Sequence, residues 1–270
     1  MKQGKLIRRA VSAALAGCMM FTLSAPALAE STDALMQLSM TRRSAVSVLD
    51  MQNDISESVT TMDLRNGSII VSVENGQQYA EQKNIKQQIS DLVVTTNNDE
   101  TTNTLTIEGG TTAAKVTLHN VNIDASGAAV SVSGDVELII SGTNNLQSGW
   151  GHAGVEKADD NGTLTISGSG ELKAYGGYWG AGIGGGQLAA GQNITIRDGN
   201  VTAIPGREAA GIGGGSRGDG KNITIEGGTV YAESGGGNGP AAAIGGGRWT
   251  GKGENIKITG GNVTLKTVDD

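Results

Sequence analysis

The sequence predicts an all-β fold, a right-handed, three-sided parallel β-helix of about six coils, where a coil is one full turn of the chain around the helix axis. Three observations predict it. A glycine-rich block, Ala-Gly-Ile-Gly-Gly-Gly, recurs at 181–186 and 210–215, and again at 242–247 as Ala-Ala-Ile-Gly-Gly-Gly. Short apolar segments follow each block at similar distances. Within those segments apolar and polar residues alternate with period two, which is typical of strands with one buried face.

Each repeat supplies three short strands. The isoleucine of a glycine block is followed by an Asn-Ile-x-Ile segment and then, after a turn, by a third strand. The later two segments occur at 193–196 with 201–203, at 222–225 with 230–232, and at 255–258 with 263–265, and looser copies reach back to 105–107. A propeller blade needs four antiparallel strands, so three strands favour a three-sided coil. Six coils about 4.8 Å apart give a rod roughly 30 Å long.

Two features of the repeat predict its corners. An asparagine begins each of the later segments, at Asn193, Asn222 and Asn255. Identical amides stacked in successive coils can hydrogen-bond to one another, so we expect a ladder of asparagines along the rod. The glycine triplets are expected to form sharp corners with backbone angles closed to residues that carry a Cβ atom.

Residues 1–29 have the pattern of a secretory signal peptide. A basic start precedes an uncharged, mostly apolar stretch, and Ala27-Leu28-Ala29 matches a small-x-small cleavage site. An alternative is lipid anchoring, because Leu15-Ala16-Gly17-Cys18 fits a bacterial lipobox in which Cys18 is lipidated. The chain is therefore predicted to be secreted or held at the cell surface.

The rest of the chain divides into two predicted parts. Residues 30–61 are polar with scattered Met and Leu, and are expected to be a leader or linker. Residues 62–270 are expected to be the β-helix with an N-terminal cap, because an open first coil would expose an unpaired sheet edge. A segment at 68–73, between two Asn-Gly turns, is expected to begin that cap. We expect no transmembrane segment after the signal peptide.

The charge balance argues against nucleic acid as a partner. The chain has 20 Lys and Arg against 27 Asp and Glu, a net charge of -7. Negative charge repels phosphate backbones and anionic membrane surfaces. A solvated acidic surface is the simplest interpretation.

Several segments resemble a known group of proteins. Thr-Asn-Thr-Leu-Thr-Ile-Glu-Gly-Gly at 102–110, Leu-His-Asn-Val-Asn-Ile at 118–123 and the Ala-Gly-Ile-Gly-Gly-Gly corners are similar to exported β-helix proteins of Gram-positive gut bacteria, described as carbohydrate-binding-domain-containing or adhesin-like. The resemblance covers roughly 62–265. It implies a pectate-lyase-like β-helix on the surface of a Gram-positive cell or shed from it, which binds polysaccharide or host glycoprotein. It supplies no catalytic residues.

The residues themselves give little sign of catalysis. Enzymes on β-helices need clustered carboxylates or a basic residue placed to abstract a proton. The acids of this chain are scattered on turns, and His152 beside Trp150 is a candidate base or an ordinary surface histidine. We expect no enzyme activity and no cofactor, with a polysaccharide lyase-like activity as the alternative. A calcium site remains an option in one short turn, which is otherwise an ordinary polar turn: Asp159, Asp160 and Asn161 offer oxygen ligands.

A column of aromatic residues is the candidate ligand-binding site. Counted back from the glycine-block corners, Trp150, Tyr178, Trp179 and Arg207 fall at equivalent positions in successive coils, with Tyr175 and His152 nearby. Exposed aromatics in a row suit both sugar stacking and protein recognition, although they could equally cover the core. A secondary patch follows the glycine triplets and comprises Arg217, Arg248 and Trp249.

Two functions of different classes follow. One is a glycan-binding protein that uses the aromatic column. The other is an adhesin that binds a host protein, such as immunoglobulin or mucin, through a flat β-helix face. Repeated outward residues such as Thr202, Tyr231 and Thr264 would supply that face, although threonine also simply favours strands.

Overall fold

A computed structural model describes residues 59–110, 112–157, 159–237, 239 and 241–268. They belong to one unit that spans 57–270. The predicted signal peptide at 1–29, with Cys18, and nearly all of the predicted leader at 30–61 lie outside the described residues.

The described residues form short strands joined by turns. The first strands are β1 (Thr60–Asp63), β2 (Ile69–Glu74), β3 (Gln77–Gln82), β4 (Ile85–Gln88), β5 (Leu92–Thr95), β6 (Glu100–Thr101), β7 (Leu105–Glu108) and β8 (Ala114–His119). The next are β9 (Asn122–Asp124), β10 (Val130–Ser133), β11 (Val136–Ser141), β12 (Thr143–Gln147), β13 (Val155–Glu156), β14 (Leu164–Ser167), β15 (Glu171–Tyr175) and β16 (Ile183–Gly184). The last are β17 (Gly191–Ile196), β18 (Asn200–Ile204), β19 (Ile212–Gly213), β20 (Gly220–Ile225), β21 (Thr229–Glu233), β22 (Ile244–Gly245), β23 (Gly253–Ile258) and β24 (Asn262–Lys266).

These strands stack into three sheets that run along the rod. The first sheet has the order β1-β5-β8-β11-β14-β17-β20-β23, and the third has β6-β9-β12-β15-β18-β21-β24. The second sheet contains β2, β7, β10, β13, β16, β19 and β22, with β3 and β4 added at one edge. Every pairing is parallel except β2 with β3 and β3 with β4.

One coil takes a strand from the first sheet, then the third, then the second. Six such coils are complete, from β5-β6-β7 to β20-β21-β22. In an additional first coil, a single 3-10 turn at Leu64–Asn66 lies between β1 and β2, and β23 and β24 begin a further coil. The molecule is therefore a right-handed parallel β-helix of about seven turns, and the predicted fold is confirmed.

The interior is filled by stacked aliphatic side chains. In the second sheet Ile183 pairs with Ile212, which pairs with Ile244, and in the first sheet Leu164 pairs with Ile194. Ile183, Ile212, Leu164 and Ile194 have no solvent-accessible surface. Burial of each such side chain contributes about 1.5–3 kcal/mol relative to exposure. This continuous core replaces the disulfides that the sequence lacks.

The two ends of the rod differ. At the start, an antiparallel hairpin of β3 and β4 pairs with the outer edge of β2 through a tight turn in which Asn75 and Gly76 both have positive φ. The predicted cap strand is therefore β2, a strand of the first coil, and the hairpin follows it. At the other end the last coil is open to solvent within the described residues, with Ile258 49 % and Leu265 52 % exposed.

The predicted asparagine ladder is confirmed. The Nδ2 group of Asn222 donates to Oδ1 of Asn193 at 2.8 Å, and that of Asn255 donates to Oδ1 of Asn222 at 2.8 Å. All three residues adopt the left-handed conformation, with φ between 52 and 55°. Asparagine tolerates this conformation better than other residues with a Cβ atom, so one residue type satisfies both the corner and the coil-to-coil bonding.

Candidate ligand-binding site

The second sheet changes along the rod. Its strands β7 and β10 are four residues long, whereas β16, β19 and β22 each contain only an isoleucine and a glycine. The shortened part of the sheet is flanked by loops. The leading loops, before β13, β16 and β19, are 149–152, 177–180 and 206–209, and the trailing loops, after β16, β19 and β22, are 186–189, 215–218 and 247–250. We call the surface formed by these six loops the loop face.

Glycine ends each short strand for a steric reason. Gly184, Gly213 and Gly245 have φ between 133 and 136°. A Cβ atom on Gly184 would lie 2.0 Å from the carbonyl oxygen of Gly213, and one on Gly213 would lie 2.0 Å from that of Gly245. Only glycine fits such a conformation and such a close approach. The chain therefore leaves the second sheet after two residues and continues into a trailing loop.

Backbone hydrogen bonds join each leading loop to the trailing loop of the next coil. The donor–acceptor pairs are Gln187 N–H to Gly151 O at 2.7 Å, Ser216 N–H to Trp179 O at 2.9 Å, and Arg248 N–H to Glu208 O at 2.8 Å. Trp179 and Glu208 both have positive φ, at 74 and 64°. Residues with a Cβ atom adopt this conformation only where the surrounding structure fixes it. The loop face is therefore well ordered by its own backbone.

The predicted aromatic column is present in the structure. The rings of Trp150 and Trp179 have centroids 4.9 Å apart, and those of Tyr178 and Trp179 are 5.0 Å apart. Arg207 extends the column, because its Nη1 donates to Oη of Tyr178 at 3.2 Å. Trp150 is 64 % exposed, Tyr178 is exposed and Trp179 is half-buried. The column thus offers ring surface to solvent. Its role in binding stays a prediction.

The secondary patch belongs to the same surface. The Arg248 guanidinium lies 4.0 Å from the ring centroid of Trp249, and both residues donate to Glu208, Arg248 Nη1 at 3.1 Å and Trp249 Nε1 at 3.2 Å. Glu208 directly follows Arg207, so one carboxylate links the aromatic column to the second corner. Arg217 is exposed on the trailing loop between them. From the sequence we predicted two separate corners. In the structure they form one surface, because the second-sheet strand between them has only two residues.

Sequence reasoning missed two members of the loop face. Leu188 is 65 % exposed and lies at the trailing-loop position that Arg217 and Trp249 occupy in the next coils, with φ of 64, 68 and 76° in turn. Glu208 is nearly buried and accepts bonds from three residues, the third being Ser216 through its hydroxyl at 3.3 Å. Alignment of the segments after the glycine triplets would have found Leu188. Nothing in the sequence distinguishes Glu208 from an ordinary surface glutamate.

His152 is placed by an acid. Its Nδ1 lies 3.0 Å from Oε2 of Glu156, which also accepts the backbone N–H of Ala153 at 3.0 Å. His152 lies on the first leading loop, two residues after Trp150. Its contact with Glu156 sets the orientation of its ring. This geometry fits a residue that positions the loop and contributes to its polar rim.

Tyr175 has a different setting from the other column residues, and its predicted place beside the column stays a prediction. It is the last residue of β15, on the outer face of the third sheet, and lines a cleft of about 400 Å³ together with Asn145, Gln147 and Lys173. The chain turns at Gly176 and Gly177 before it reaches Tyr178, which moves the two tyrosines onto different sides of the corner. Glu171, 3.0 Å from the Lys173 ammonium, raises the pKa of that lysine.

The turn at Asp159, Asp160 and Asn161, the place of the calcium option, is bonded to a lysine in this structure. The side chain of Lys157 is fully buried, and its ammonium donates to Oδ1 of Asp159, to the carbonyl oxygen of Asp159 at 3.1 Å and to that of Asn161 at 2.7 Å. An ammonium group thus uses one of the three side-chain ligands and two carbonyl oxygens of this turn, and the calcium option stays a prediction. The charge on the buried lysine requires these oxygens as partners.

The part of the chain that the structure describes contains no helix long and apolar enough to cross a membrane. It contains no cluster of three or more His, Cys, Asp or Glu side chains arranged to hold a metal ion.

Comparison with known proteins agrees with the fold. Residues 164–187, 194–216 and 223–248 match a family model described as a beta helix repeat. These stretches contain the second and third leading loops and the first two residues of each trailing loop. No curated protein and no solved structure matches the chain. The late coils are therefore similar to β-helix repeats.

Proposed function

We propose that this chain is a non-catalytic binding protein, secreted or displayed at the surface of a Gram-positive cell, which recognises a polysaccharide or glycan through the loop face. The observation that carries the proposal is the continuous row of rings formed by exposed Trp150, half-buried Trp179 and exposed Tyr178, with Arg207 at its end. The signal-like residues 1–29 support export.

The composition of the loop face suits a sugar ligand. Of the nine large hydrophobic side chains that are most exposed among the described residues, four lie here: Trp150, Tyr178, Leu188 and Trp249. Exposed apolar patches with polar rims mark interaction sites. The apolar side of a sugar ring can pack on an aromatic ring while its hydroxyl groups bond to neighbouring polar groups. Arg207, Arg217 and His152 supply such groups here.

The loop face is also held in one conformation by hydrogen bonds within the protein. Backbone bonds join successive loops, and Glu208 fixes Arg248 and Trp249. A surface that is already ordered loses less conformational entropy on binding than a mobile loop. This favours recognition by a rigid platform.

The carboxylates in and next to the loop face support a role without catalysis. Glu156 accepts from His152 and from the backbone of Ala153, and Glu208 accepts from Arg248, Trp249 and Ser216. Both carboxylates therefore hold other groups in place. A general acid or base would need a proton position open to the substrate.

The alternative is a host-protein binder, such as a receptor for immunoglobulin or mucin. The outer face of the third sheet favours it, because seven parallel strands about 4.8 Å apart give a surface roughly 29 Å long. Thr202, Tyr231 and Thr264 stand in one row of it. A protein partner typically covers about 800 Å² on each side.

The test is binding of the purified chain to plant and microbial polysaccharides, mucin glycans and secreted host proteins. The double variant Trp150→Ala/Trp179→Ala removes the centre of the row, and Tyr231→Ala removes an aromatic ring elsewhere as the matched control. We expect the double variant to lose glycan affinity by roughly tenfold or more, since aromatic contacts contribute about 1 kcal/mol each beyond their area. Tyr231→Ala should bind like the parent.

Two outcomes would contradict the proposal. If the double variant binds glycan as tightly as the parent, the loop face is not the glycan-binding site. Binding to a host protein without any glycan signal would replace the proposal with the adhesin alternative, and loss of that binding in Tyr231→Ala would locate the partner on the third sheet.

A further inference from the structure

A cleft in the early coils lies along one row of outward residues of the third sheet, where short side chains stand between long ones. Glu100, Asn122, Asn145 and Lys173 are direct neighbours in the parallel register, and all four line the cleft. Two long side chains thus enclose two short ones. The row spans three strand spacings, roughly 14 Å. The cleft between its ends has a volume of about 400 Å³.

A second row forms one side of the cleft. Asp124, Gln147 and Tyr175 are paired neighbours two residues further along the same strands, so their side chains lie on the same outer face. Tyr175 is half-buried and is the last residue of this row that lines the cleft, before Ile204 of the next coil. The cleft therefore combines a polar floor with an aromatic wall at one end.

The chemistry of the lining suits hydroxyl groups. Asn122, Asn145 and Gln147 each carry one amide oxygen and one amide nitrogen, so they accept and donate. A sugar hydroxyl also does both. The ionisable groups are Glu100, Asp124 and Lys173, and Lys173 is held by Glu171 at 3.0 Å. The cleft is thus net negative, which disfavours an anionic polymer.

We propose that this third-sheet cleft is a second glycan-binding site, which takes a neutral sugar chain laid along the helix axis with one ring against Tyr175. It is separate from the loop face, because it lies on a different sheet and none of its lining residues belongs to the six loops. The protein then holds two glycan segments on two sides of one rod.

The test uses the loop-face variant Trp150→Ala/Trp179→Ala as the parent, so that the second site is measured alone. Its binding to a soluble neutral β-glucan, xylan and galactomannan, and to anionic polygalacturonate, is measured by calorimetry. Four single changes are made in this parent: Tyr175→Ala, Tyr175→Phe, Asn145→Ala, and Tyr231→Ala as a matched control on the same sheet. Tyr175→Phe keeps the ring and guards against an effect of the substitution on folding.

The expected result is residual binding of at least one neutral polymer and none of polygalacturonate. Tyr175→Ala and Asn145→Ala should weaken it by roughly tenfold each, which corresponds to one lost aromatic or hydrogen-bonded contact. Tyr175→Phe and Tyr231→Ala should bind within about twofold of the parent.

Three results would overturn the inference: no residual binding to any neutral polymer, residual binding that ignores Tyr175 and Asn145, or tighter binding of polygalacturonate than of the neutral polymers. None of these would remove the loop-face proposal, which depends on the comparison between the wild-type chain and the Trp150→Ala/Trp179→Ala variant.

Discussion

The early and late coils build the same core but different second sheets. Leu105, Val130 and Val155 are stacked in register at intervals of 25 residues, whereas Ile183, Ile212 and Ile244 are stacked at intervals of 29 and 32. The late coils therefore contain more residues. Their second-sheet strands are nevertheless shorter, two residues against four.

The added residues lie outside the core, in the leading and trailing loops. A coil needs only one inward side chain from the second sheet to continue the stack, because neighbouring coils are also joined through the other two sheets. The rest of that side can project as loops without loss of register. The same repeat can therefore form longer second-sheet strands in the early coils and the loop face in the late coils.

The largest expected effect comes from the glycine that ends a late strand. Gly213→Ala places a Cβ atom 2.0 Å from the carbonyl oxygen of Gly245 at a φ of 133°. We expect a loss of about 3 kcal/mol in the free energy of unfolding, from backbone strain and steric overlap. Denaturant titration measures it.

Gly127→Ala is the matched control in the early coils. An added Cβ atom there has no atom within 4 Å. It should change stability by less than about 0.5 kcal/mol. Equal stability of the two variants would show that the short late strands do not depend on glycine.

A smaller effect is expected from the carboxylate that joins the two loop corners. Glu208→Gln removes the charge that Arg248 and Trp249 bond to, in a pair whose side chains are only 14 % and 13 % exposed for Glu208 and Arg248. We expect a loss of about 2 kcal/mol and a change in tryptophan fluorescence, because a nearly buried arginine loses its charged partner.

The control for this change is Glu226→Gln, which breaks the exposed pair with Arg197. Exposed pairs contribute less than about 1 kcal/mol, so its stability should stay close to that of the parent. A Glu208→Gln protein as stable as the control, with unchanged fluorescence, would contradict the role of Glu208 as the link.

The smallest effect is in the acid range. The hydrogen bond from Lys266 lowers the pKa of Glu233, which lies near the end of the late third sheet. A lowered carboxyl pKa gives stability that is fully present above the unfolded-state pKa and is lost as pH falls through the folded-state pKa. Stability should therefore decrease with acid below about pH 4.

Glu233→Gln removes this contribution and should flatten the decrease, as measured by thermal unfolding between pH 2 and 6. Glu108→Gln, at an exposed carboxylate on β7 in the early coils, serves as the control. If stability falls with acid as steeply in Glu233→Gln as in the control, the pair with Lys266 adds no pH-dependent stability.

Most of the fold could be predicted because its signals are local and repeated. The period-two alternation of Ile194 and Ile196, and the recurrence of Asn193 as Asn222, need no knowledge of distant residues. The candidate site was less predictable. The column of Trp150, Tyr178 and Trp179 followed from register alone, but the third-sheet cleft that Tyr175 lines depends on side chains from four strands and was not predicted.

The repeat in the sequence was enough to predict the all-β class, the three-sided coil, the stacked aliphatic core and the asparagine ladder, because it puts similar residues at equivalent positions in successive coils. Which surfaces those coils bring together followed only from the folded chain. Glu208 joins two corners through residues up to 41 positions away, and Lys157 bonds to oxygens of the turn that looked suited to calcium. Such contacts depend on how far each loop projects and on which side of a glycine corner a side chain lies.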